Sequence, residues 1–274
     1  MTITLTRPLV LAGAGNMGGA LLKGWLAQGL DPKLVIAIDP APPEPMRVLL
    51  AGHGIACQAV APKLAGAPAA IVLAIKPQLM DAVAPSMAIL ATSETVVLSV
   101  AAGRTLESLA KHFAPGTAIV RSIPNTPAAV GRGITVAIAN AAVTPTQRQL
   151  CDGLLAAVGE VAWVDEERLI DAATAVSGSG PAYVFLLAEC LAEAGRQVGL
   201  SPEMAARLAR ATVSGAGELM RQSELPPATL RQNVTSPNGT TAAALAVLMG
   251  ADGMQPLLTR AVAEAEARSR KLSA

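Results

Sequence analysis

Two threonine hydroxyls stand beside a predicted helix N-terminus in the segment Ser236-Pro237-Asn238-Gly239-Thr240-Thr241. The alanine- and leucine-rich run at residues 242–249 predicts a helix, with Pro237 fixing the backbone and Asn238 as its N-cap. The backbone amides of Gly239, Thr240 and Thr241 would then lack carbonyl partners inside the helix. Together with the helix dipole they would hold a small anion such as a carboxylate, although a capped helix with no ligand explains the same residues.

A second candidate site is a glycine-rich turn between a predicted strand, residues 8–12, and a predicted helix, residues 16–28. Its GxGxxG spacing predicts that a dinucleotide pyrophosphate lies at the helix N-terminus, in the segment Gly13-Ala14-Gly15-Asn16-Met17-Gly18. Asp39 follows the next predicted strand, about 20 residues further on, where an acidic side chain binds the adenosine ribose hydroxyls. A carboxylate repels a 2′-phosphate, so Asp39 favours NADH over NADPH, and Arg47 would weaken that preference. A solvated Asp-Pro turn is the alternative interpretation of Asp39.

Continuous apolar runs predict the strands that position these groups, because strands buried on both faces of a parallel sheet lack alternation. The runs are residues 69–75, 96–100 and 117–122, and later residues 135–139 and 160–164 flank a predicted helix at 145–157. Ligands bind at the carboxyl ends of strands in open α/β sheets. Lys76, Ala101 and Asn125 each follow such a strand, so we expect them to face one crevice.

After Asp165 the strand signals disappear, and Pro and Gly separate apolar helices. The first predicted helix, residues 165–176, ends at Ser177-Gly178-Ser179-Gly180, and others cover residues 181–198, 201–222, 227–233, 242–249 and 255–271. These apolar helices are too many to be buried within one domain of about 110 residues. They therefore indicate an interface with a second copy of the chain. The predicted fold is an α/β Rossmann-type domain with a doubly wound parallel sheet at residues 1–164, followed by an all-α substrate-binding and dimerisation domain at 165–274.

Composition excludes several classes of function. A net charge of +1 and an aromatic content of 2% argue against nucleic-acid binding, which needs a basic face and stacking groups. Three widely spaced cysteines predict no metal site and a reducing, cytoplasmic compartment. The longest apolar candidate, starting at Ala182, meets Glu189 and Glu193, so we expect no membrane span.

Five motifs together resemble the pyrroline-5-carboxylate reductases, which catalyse the last step of proline biosynthesis, and the resemblance covers nearly the whole chain. The most specific is Asn233-Val234-Thr235-Ser236-Pro237-Asn238-Gly239-Thr240-Thr241. The others are Gly13-Ala14-Gly15-Asn16-Met17-Gly18, Ala74-Ile75-Lys76-Pro77, Pro124-Asn125-Thr126-Pro127 and Ala175-Val176-Ser177-Gly178-Ser179-Gly180-Pro181-Ala182-Tyr183. The resemblance implies a Rossmann domain, a helical domain, an intertwined homodimer and often a pentamer of dimers.

The resemblance also implies roles for individual residues. The cofactor, NADPH or NADH, would contact Gly13, Ala14, Gly15, Asn16, Met17, Asp39, Ala74, Ile75, Lys76, Pro77, Val100, Ala101 and Ala102, with Asn125 facing the same crevice. The carboxylate of 1-pyrroline-5-carboxylate would bind at Asn233, Ser236, Thr240 and Thr241, and the Thr241 hydroxyl would reach the ring nitrogen. Asp39 stands where NADPH-using members carry a hydroxyl residue, and a polar residue often found near Ala61 is missing, so NADH is favoured.

The residue inventory agrees with imine reduction. To reduce a cyclic imine, an enzyme must hold the substrate in position, anchor its carboxylate and supply one hydrogen-bond donor, and a strong acid matters less. The helical domain has no His, and its sole Lys is Lys271, so the lysine that related hydroxyacid dehydrogenases use there is missing. Glu224 is a second candidate for orienting the ring nitrogen or a water, or else a solvated carboxylate. His53 and His112 are expected to be solvated surface residues.

Two alternatives to this reductase stay open at this stage. One is a related enzyme that reduces a six-membered cyclic imino acid. The other is a non-catalytic dinucleotide-binding protein that senses redox state, against which the intact segment from Ser236 to Thr241 argues.

Overall fold

The computed structural model describes residues 5–273, leaving aside the side chain of residue 273. The chain divides into two compact units, residues up to 178 together with those from 266 onward, and residues 179–265. The predicted domain ends at residues 1 and 274 lie outside the described part. The predicted boundary at 164/165 differs from this division, because Ile170 is buried in a cluster with Ile123, Val136 and Ile138 of the sheet. As a domain boundary it stays a prediction.

The first unit is built on one eight-stranded sheet with the strand order β3-β2-β1-β4-β5-β6-β7-β8. The strands are β1 (Leu9–Ala12), β2 (Val35–Ile38), β3 (Cys57–Gln58), β4 (Ala70–Leu73), β5 (Val96–Ser99), β6 (Ala118–Pro124), β7 (Gly133–Ala139) and β8 (Gly159–Trp163). Every residue of β1, β4 and β5 is buried, as their continuous apolar sequences predict. The doubly wound Rossmann-type architecture is thereby confirmed.

The parallel strands are in register, so their carboxyl ends form one edge. Ala12 of β1 lies opposite Ile38 of β2 and Leu73 of β4, and Leu73 lies opposite Ser99 of β5. The glycine-rich turn, Asp39 and the segments that follow β4 and β5 therefore all start at this edge. The strand order and register therefore bring the segments of the predicted crevice to one edge of the sheet.

One pair of strands departs from the expected parallel sheet, because β6 and β7 are antiparallel. A parallel connection needs a crossover of a dozen or more residues. Between β6 and β7 the chain has only a short 3₁₀ turn, Thr126–Val130, closed by Gly131 at φ +68°. The chain therefore reverses direction there, and β8 continues parallel to β7.

Six α-helices belong to the first unit: α1 (Asn16–Ala27), α2 (Glu44–Gly52), α3 (Met80–Ala88), α4 (Leu106–Ala110), α5 (Pro145–Ala156) and α6 (Arg168–Ala173). Helix α1 is fixed against α5 by the fully buried Trp25, whose Nε1 donates a hydrogen bond to the carbonyl oxygen of Leu154 at 2.8 Å. The sequence had indicated neither α2 nor the two-residue β3, which together complete the edge beside β2.

The predicted helix end at Ser177-Gly178-Ser179-Gly180 is wrong. A π-helical turn, Thr174–Gly178, joins α6 directly to α7 (Gly180–Gln197). The hydroxyl of Thr174 donates to the carbonyl oxygen of Ile170 at 2.7 Å, and that of Ser177 to Ala173 at 2.8 Å. Serine and threonine hydroxyls that bond back in this way are tolerated inside a helix, so these small residues do not end it.

The second unit is entirely helical, with α7, α8 (Pro202–Gln222), α9 (Pro227–Asn233), α10 (Thr240–Leu248) and most of α11 (Met254–Ser273). Its described residues include only two that are fully buried, Ala205 and Ala209 on α8. Large apolar side chains such as Phe185, Leu186 and Leu257 are about 60% exposed, at 62%, 57% and 57%. An apolar surface of this extent marks a protein interface.

The helical stretch 168–197 is long and apolar enough to cross a membrane by length and composition alone. A core or interface helix of a water-soluble protein meets the same criterion, so this observation is weak evidence for a membrane span.

Candidate active site

The glycine-rich turn has glycines for two different reasons. Gly13 adopts φ +94°, and a Cβ there would lie 2.5 Å from the carbonyl oxygen of Ala74, while a Cβ on Gly18 would lie 2.0 Å from that of Gly13. These two glycines are required by packing within the protein. A Cβ on Gly15 would meet no described atom within 4 Å. The space above Gly15, at the N-terminus of α1, fits a pyrophosphate that approaches the backbone closely.

Asp39 supports the glycine-rich turn directly. Its Oδ2 accepts a hydrogen bond from the backbone amide of Ala14 at 2.7 Å, and its Oδ1 accepts one from Ala41 at 2.9 Å. Each carboxylate oxygen has a further lone pair, so ribose hydroxyls remain possible partners. Arg47, expected to weaken the preference for NADH, forms an exposed ion pair in which its Nη2 lies 2.6 Å from Glu44 Oε2.

The segments after β4 and β5 begin at the same sheet edge. The amide of Ala74 donates to the carbonyl oxygen of Ala12 at 2.8 Å, and that of Val100 donates to Leu73 at 3.1 Å. Lys76 is exposed at the start of a 3₁₀ turn, Pro77–Leu79, and Ala102 is exposed on the neighbouring segment. The structure thus brings together the predicted cofactor residues Gly13, Ala14, Gly15, Asn16, Met17, Asp39, Ala74, Ile75, Lys76, Pro77, Val100, Ala101 and Ala102.

Asn125 has a structural role that the sequence did not indicate. Its side chain is 9% exposed, its Oδ1 accepts from the amide of Ile134 at 3.0 Å, and its Nδ2 donates to the carbonyl oxygen of Ser177 at 3.1 Å. It therefore ties the end of β6 to the π-helical turn. One Nδ2 hydrogen remains for another acceptor, and contact with a cofactor stays a prediction.

In the second unit, the segment before α10 is a tight turn. The amide of Gly239 donates to the carbonyl oxygen of Ser236 at 3.1 Å, and Asn238 has φ +57°. Pro at the second turn position and Asn with positive φ at the third are typical of a type II turn. The predicted N-cap at Asn238 is wrong, because Gly239 occupies that position without a side-chain hydrogen bond.

A side chain at Gly239 would displace the Ser236 hydroxyl, since a Cβ would lie 2.3 Å from Ser236 Oγ. Its amide belongs to the turn, so the expectation that this amide is free is incorrect. Helix geometry leaves the amides of Thr240, Thr241 and Ala242 without intrahelical partners, and the amide of Ala243 is the first to donate, to the Gly239 carbonyl. The helix tip therefore presents three donor amides, a positive dipole end and the hydroxyls of Thr240 and Thr241.

Two further candidates lie on the elements around this turn. Asn233 is the exposed last residue of α9, and the following turn is held by the Thr235 hydroxyl, which donates to the carbonyl oxygen of Arg231 at 2.7 Å. Glu224 is exposed in the connection between α8 and α9. Their roles toward a substrate stay predictions.

One histidine differs from its expected environment. His53 is exposed, whereas the side chain of His112 is only 15% exposed, and its Nε2 lies 3.1 Å from Asp81 Oδ1. The expectation of a solvated His112 is thus incorrect. Among residues 5–273, no group of three or more His, Cys, Asp or Glu side chains is arranged to hold a metal ion.

Family models match both parts of the chain. The model for pyrroline-5-carboxylate reductase dimerisation matches residues 167–272. A second model, described as an NADP oxidoreductase that depends on coenzyme F420, matches residues 9–103, which contain the glycine-rich turn, Asp39 and the segments after β4 and β5. The apolar surface of the second unit therefore lies within a dimerisation domain.

Relatives extend this similarity over the whole chain. The pyrroline-5-carboxylate reductase of Pseudomonas aeruginosa is 40% identical over 98% of this chain and 97% of its own length. That of Pasteurella multocida is 34% identical over 97% and 98%. A solved pyrroline-5-carboxylate reductase from Coxiella burnetii superposes with a TM-score of 0.91 at 34% identity, covering 98% of this chain and 100% of that one. The solved Plasmodium falciparum pyrroline carboxylate reductase with NADP bound superposes with a TM-score of 0.80 at 27% identity, covering 98% of this chain and 99% of that one. This chain belongs to the pyrroline-5-carboxylate reductase family.

Proposed function

We propose that this protein reduces the C=N bond of 1-pyrroline-5-carboxylate to give L-proline, with NADH or NADPH as the reductant. The observation that carries the proposal is the tip of α10. In a chain of this family, it presents the free amides of its first turn and the hydroxyls of Thr240 and Thr241, beside a turn in which a side chain at position 239 would displace the Ser236 hydroxyl. That combination suits a substrate with a carboxylate next to a ring nitrogen.

The first unit would bind the cofactor. The open space at Gly15 admits the pyrophosphate, and the carboxylate of Asp39 would accept the ribose hydroxyls while it holds the Ala14 amide at 2.7 Å. The segments from Ala74 to Pro77 and from Val100 to Ala102, with Asn125, would line the rest of the cofactor. Because Asp39 repels a 2′-phosphate, we propose NADH as the preferred reductant.

The second unit would bind the substrate carboxylate. Ser236, Thr240 and Thr241 would donate to it from the helix tip, with Asn233 from the end of α9. Gly239 would leave space for the substrate because it has no side chain. Its own amide donates to the carbonyl oxygen of Ser236 at 3.1 Å. A carboxylate at a helix N-terminus is stabilised by the dipole as well as by the amides.

When bound, the reduced nicotinamide supplies a hydride, that is, two electrons and one proton, to the imine carbon. The ring nitrogen gains charge and takes one further proton, which balances the reaction to the secondary amine. The Thr241 hydroxyl would donate a hydrogen bond to that nitrogen, and Glu224 is a second candidate for orienting it or a water. A hydroxyl is enough, because the imine needs orientation and one donor more than a strong acid.

We further propose a homodimer in which a second copy covers the apolar residues of α7 and α8, and a pentamer of dimers as the larger assembly. Residues 1–164 would serve as the cofactor domain and residues 165–274 as the substrate and dimerisation domain. The enzyme would be cytoplasmic and would contact neither membrane nor nucleic acid, and the net charge of +1 supports the last of these because nucleic-acid binding needs a basic face.

The test is to follow absorbance of NADH and NADPH separately with racemic 1-pyrroline-5-carboxylate, with the six-membered cyclic imino acid assayed in parallel. We expect oxidation of NADH with the five-membered ring at a kcat/KM at least about tenfold above that with the six-membered ring. Higher turnover of the six-membered ring would reassign the substrate. Binding of NADH without oxidation by either imine would identify a redox sensor. Size-exclusion chromatography of the same sample measures the assembly.

A further inference from the structure

Arg104 connects the two segments that follow β4 and β5. It lies two residues beyond Ala102, and both Nε and Nη2 of its guanidinium donate to the carbonyl oxygen of Pro77, at 3.1 Å and 2.6 Å. The side chain is only 20% exposed. One side chain thus crosses from the segment after β5 to the segment after β4.

The other edge of the same guanidinium binds Asp81 in the first turn of α3. Nη1 and Nη2 lie 2.9 Å from Oδ1 and Oδ2 respectively, which is bidentate geometry, and His112 approaches Oδ1 at 3.1 Å. The hydrogen bonds from Arg104 lower the pKa of Asp81, so its carboxyl group is ionised at neutral pH. Most exposed ion pairs contribute little, but a bidentate arginine that is also fixed by a carbonyl oxygen is held in one orientation.

The backbone beside Arg104 is restricted as well. Gly103 adopts φ +69°, and a Cβ there would lie 3.2 Å from the carbonyl oxygen of Leu272 at the end of α11. The turn that directs Arg104 toward Pro77 is therefore packed on its outer side. Its position is set from two directions, by Leu272 and by the guanidinium contacts.

We propose that Arg104 is a positioning residue for the cofactor, because it fixes the spacing between the Lys76-Pro77 turn and the segment Val100–Ala102. The inference rests on the proposed function, in which both segments line the cofactor. Arg104 itself faces Pro77 and Asp81 and acts through the backbone of the two segments. Loss of its hydrogen bonds lets the segments separate, so cofactor affinity falls while the substrate turn before α10 is unchanged.

The test compares Arg104→Gln with Arg104→Lys and with a matched control, Arg7→Gln. Arg7 also binds a carboxylate and a carbonyl oxygen, at 2.7 Å and 3.2 Å from Glu94, but it precedes β1 at the opposite edge of the sheet. Lysine keeps a charge for Asp81 but cannot make the bidentate pair and the two bonds to Pro77 together. Affinity for NADH is measured by fluorescence titration of each full-length protein, and amide hydrogen exchange is measured in segments 74–79 and 100–105.

We expect Arg104→Gln to raise the Kd for NADH about tenfold and to speed exchange in both segments, because the bidentate pair with Asp81 and the paired bonds to the Pro77 carbonyl are lost. Arg104→Lys should give an intermediate Kd, Arg7→Gln the wild-type value, and KM for the imine should stay constant. If the wild type binds NADH but Arg104→Gln binds it as tightly as Arg7→Gln does, the positioning role is excluded. A wild-type protein that binds neither NADH nor NADPH would instead contradict the proposed function.

Discussion

The side-chain amide of Asn125 donates a hydrogen bond to the carbonyl oxygen of Ser177 at 3.1 Å, across 52 residues of sequence. This bond places the end of β6 against the π-helical turn, whose carbonyl groups are displaced from regular helix geometry. A π turn in a helix often lies at a functional site, since it leaves such groups available. Here Asn125 takes one of them, so the residue supports the backbone of the π-helical turn as well as that of β7 at Ile134.

Replacement of Asn125 by Asp should therefore lower stability. Asp keeps an acceptor for the Ile134 amide but turns an oxygen toward the Ser177 carbonyl, and we expect a loss of about 1–3 kcal/mol in unfolding free energy. Urea denaturation measures it. Asn140→Asp is the matched control, because Asn140 likewise accepts from the amide of Ile119 at 3.1 Å and donates to the Thr117 carbonyl at 2.9 Å. Both variants should lose stability, and Asn125→Asp alone should weaken NADH binding. If Asn125→Asp and Asn140→Asp bind NADH with equal affinity, Asn125 does not contribute to the cofactor site.

The charge of Asp39 should set the choice between NADH and NADPH. In Asp39→Asn the single amide oxygen can still accept from Ala14, whose amide lies 2.7 Å from Oδ2 in the wild type, while the bond from the Ala41 amide is lost. The variant also removes the repulsion of a 2′-phosphate. We expect the ratio of kcat/KM for NADPH to that for NADH to rise on the order of tenfold, or about 1.4 kcal/mol. Asp31→Asn is the control, since Asp31 also accepts a backbone hydrogen bond, from Lys33 at 2.9 Å, but before β2. A ratio that stays at the wild-type value in Asp39→Asn would show that the carboxylate does not select the cofactor.

Local patterns in the sequence were enough to predict the sheet edge and most helices. The run that became β4 is apolar throughout, that of β5 is apolar except for Ser99, and both end in turn residues, so local sequence predicted these two buried strands. The segment from Thr174 to Gly178 misled the prediction, because Ser-Gly-Ser-Gly usually ends a helix. Asn238 could have been assigned correctly, since Pro-Asn is the central pair of a type II turn as well as a helix start.

Contacts between distant residues could not be predicted in the same way. Arg104 meets Pro77 and Asp81 only because β4 and β5 are neighbours in the sheet. His112 is partly buried for the same reason, since α4 brings it to Asp81. The sequence carries no local signal for either pair, and a charged residue in a loop is most often solvated.

Cys151 should make the protein less stable in alkali. Burial raises the pKa of this thiol from 9.0 to about 12. Between these values the unfolded chain releases a proton that the folded chain keeps, so the free energy of unfolding falls as pH rises above 9.0. From pH 8 to pH 10 the wild type should lose about 1.4 kcal/mol more than Cys151→Ala does in urea denaturation. Cys190→Ala, at an exposed thiol, should follow the wild type, and parallel curves for wild type and Cys151→Ala would contradict the shifted pKa.

Thr241 is the residue on which the proposed chemistry depends most. Its hydroxyl stands on the first turn of α10, beside the free amides of the helix tip, and it would hydrogen-bond to the ring nitrogen most strongly as that nitrogen gains charge. An interaction that strengthens in the transition state affects kcat more than binding. For Thr241→Ala we therefore expect kcat to fall on the order of 100-fold, with the Kd for NADH unchanged.

Two further variants separate the hydroxyl of Thr241 from its place in the helix. Thr241→Ser keeps the donor and should retain most of the wild-type kcat. Thr240→Ala removes the neighbouring exposed hydroxyl and should raise KM for the imine without the large loss of turnover, because Thr240 is assigned to the carboxylate. Steady-state kinetics of all three, at saturating NADH, decide the assignment. An unchanged kcat in Thr241→Ala would mean that another group donates the hydrogen bond to the ring nitrogen, with Glu224 or a water as the next candidate. The helix tip would then bind only the substrate carboxylate.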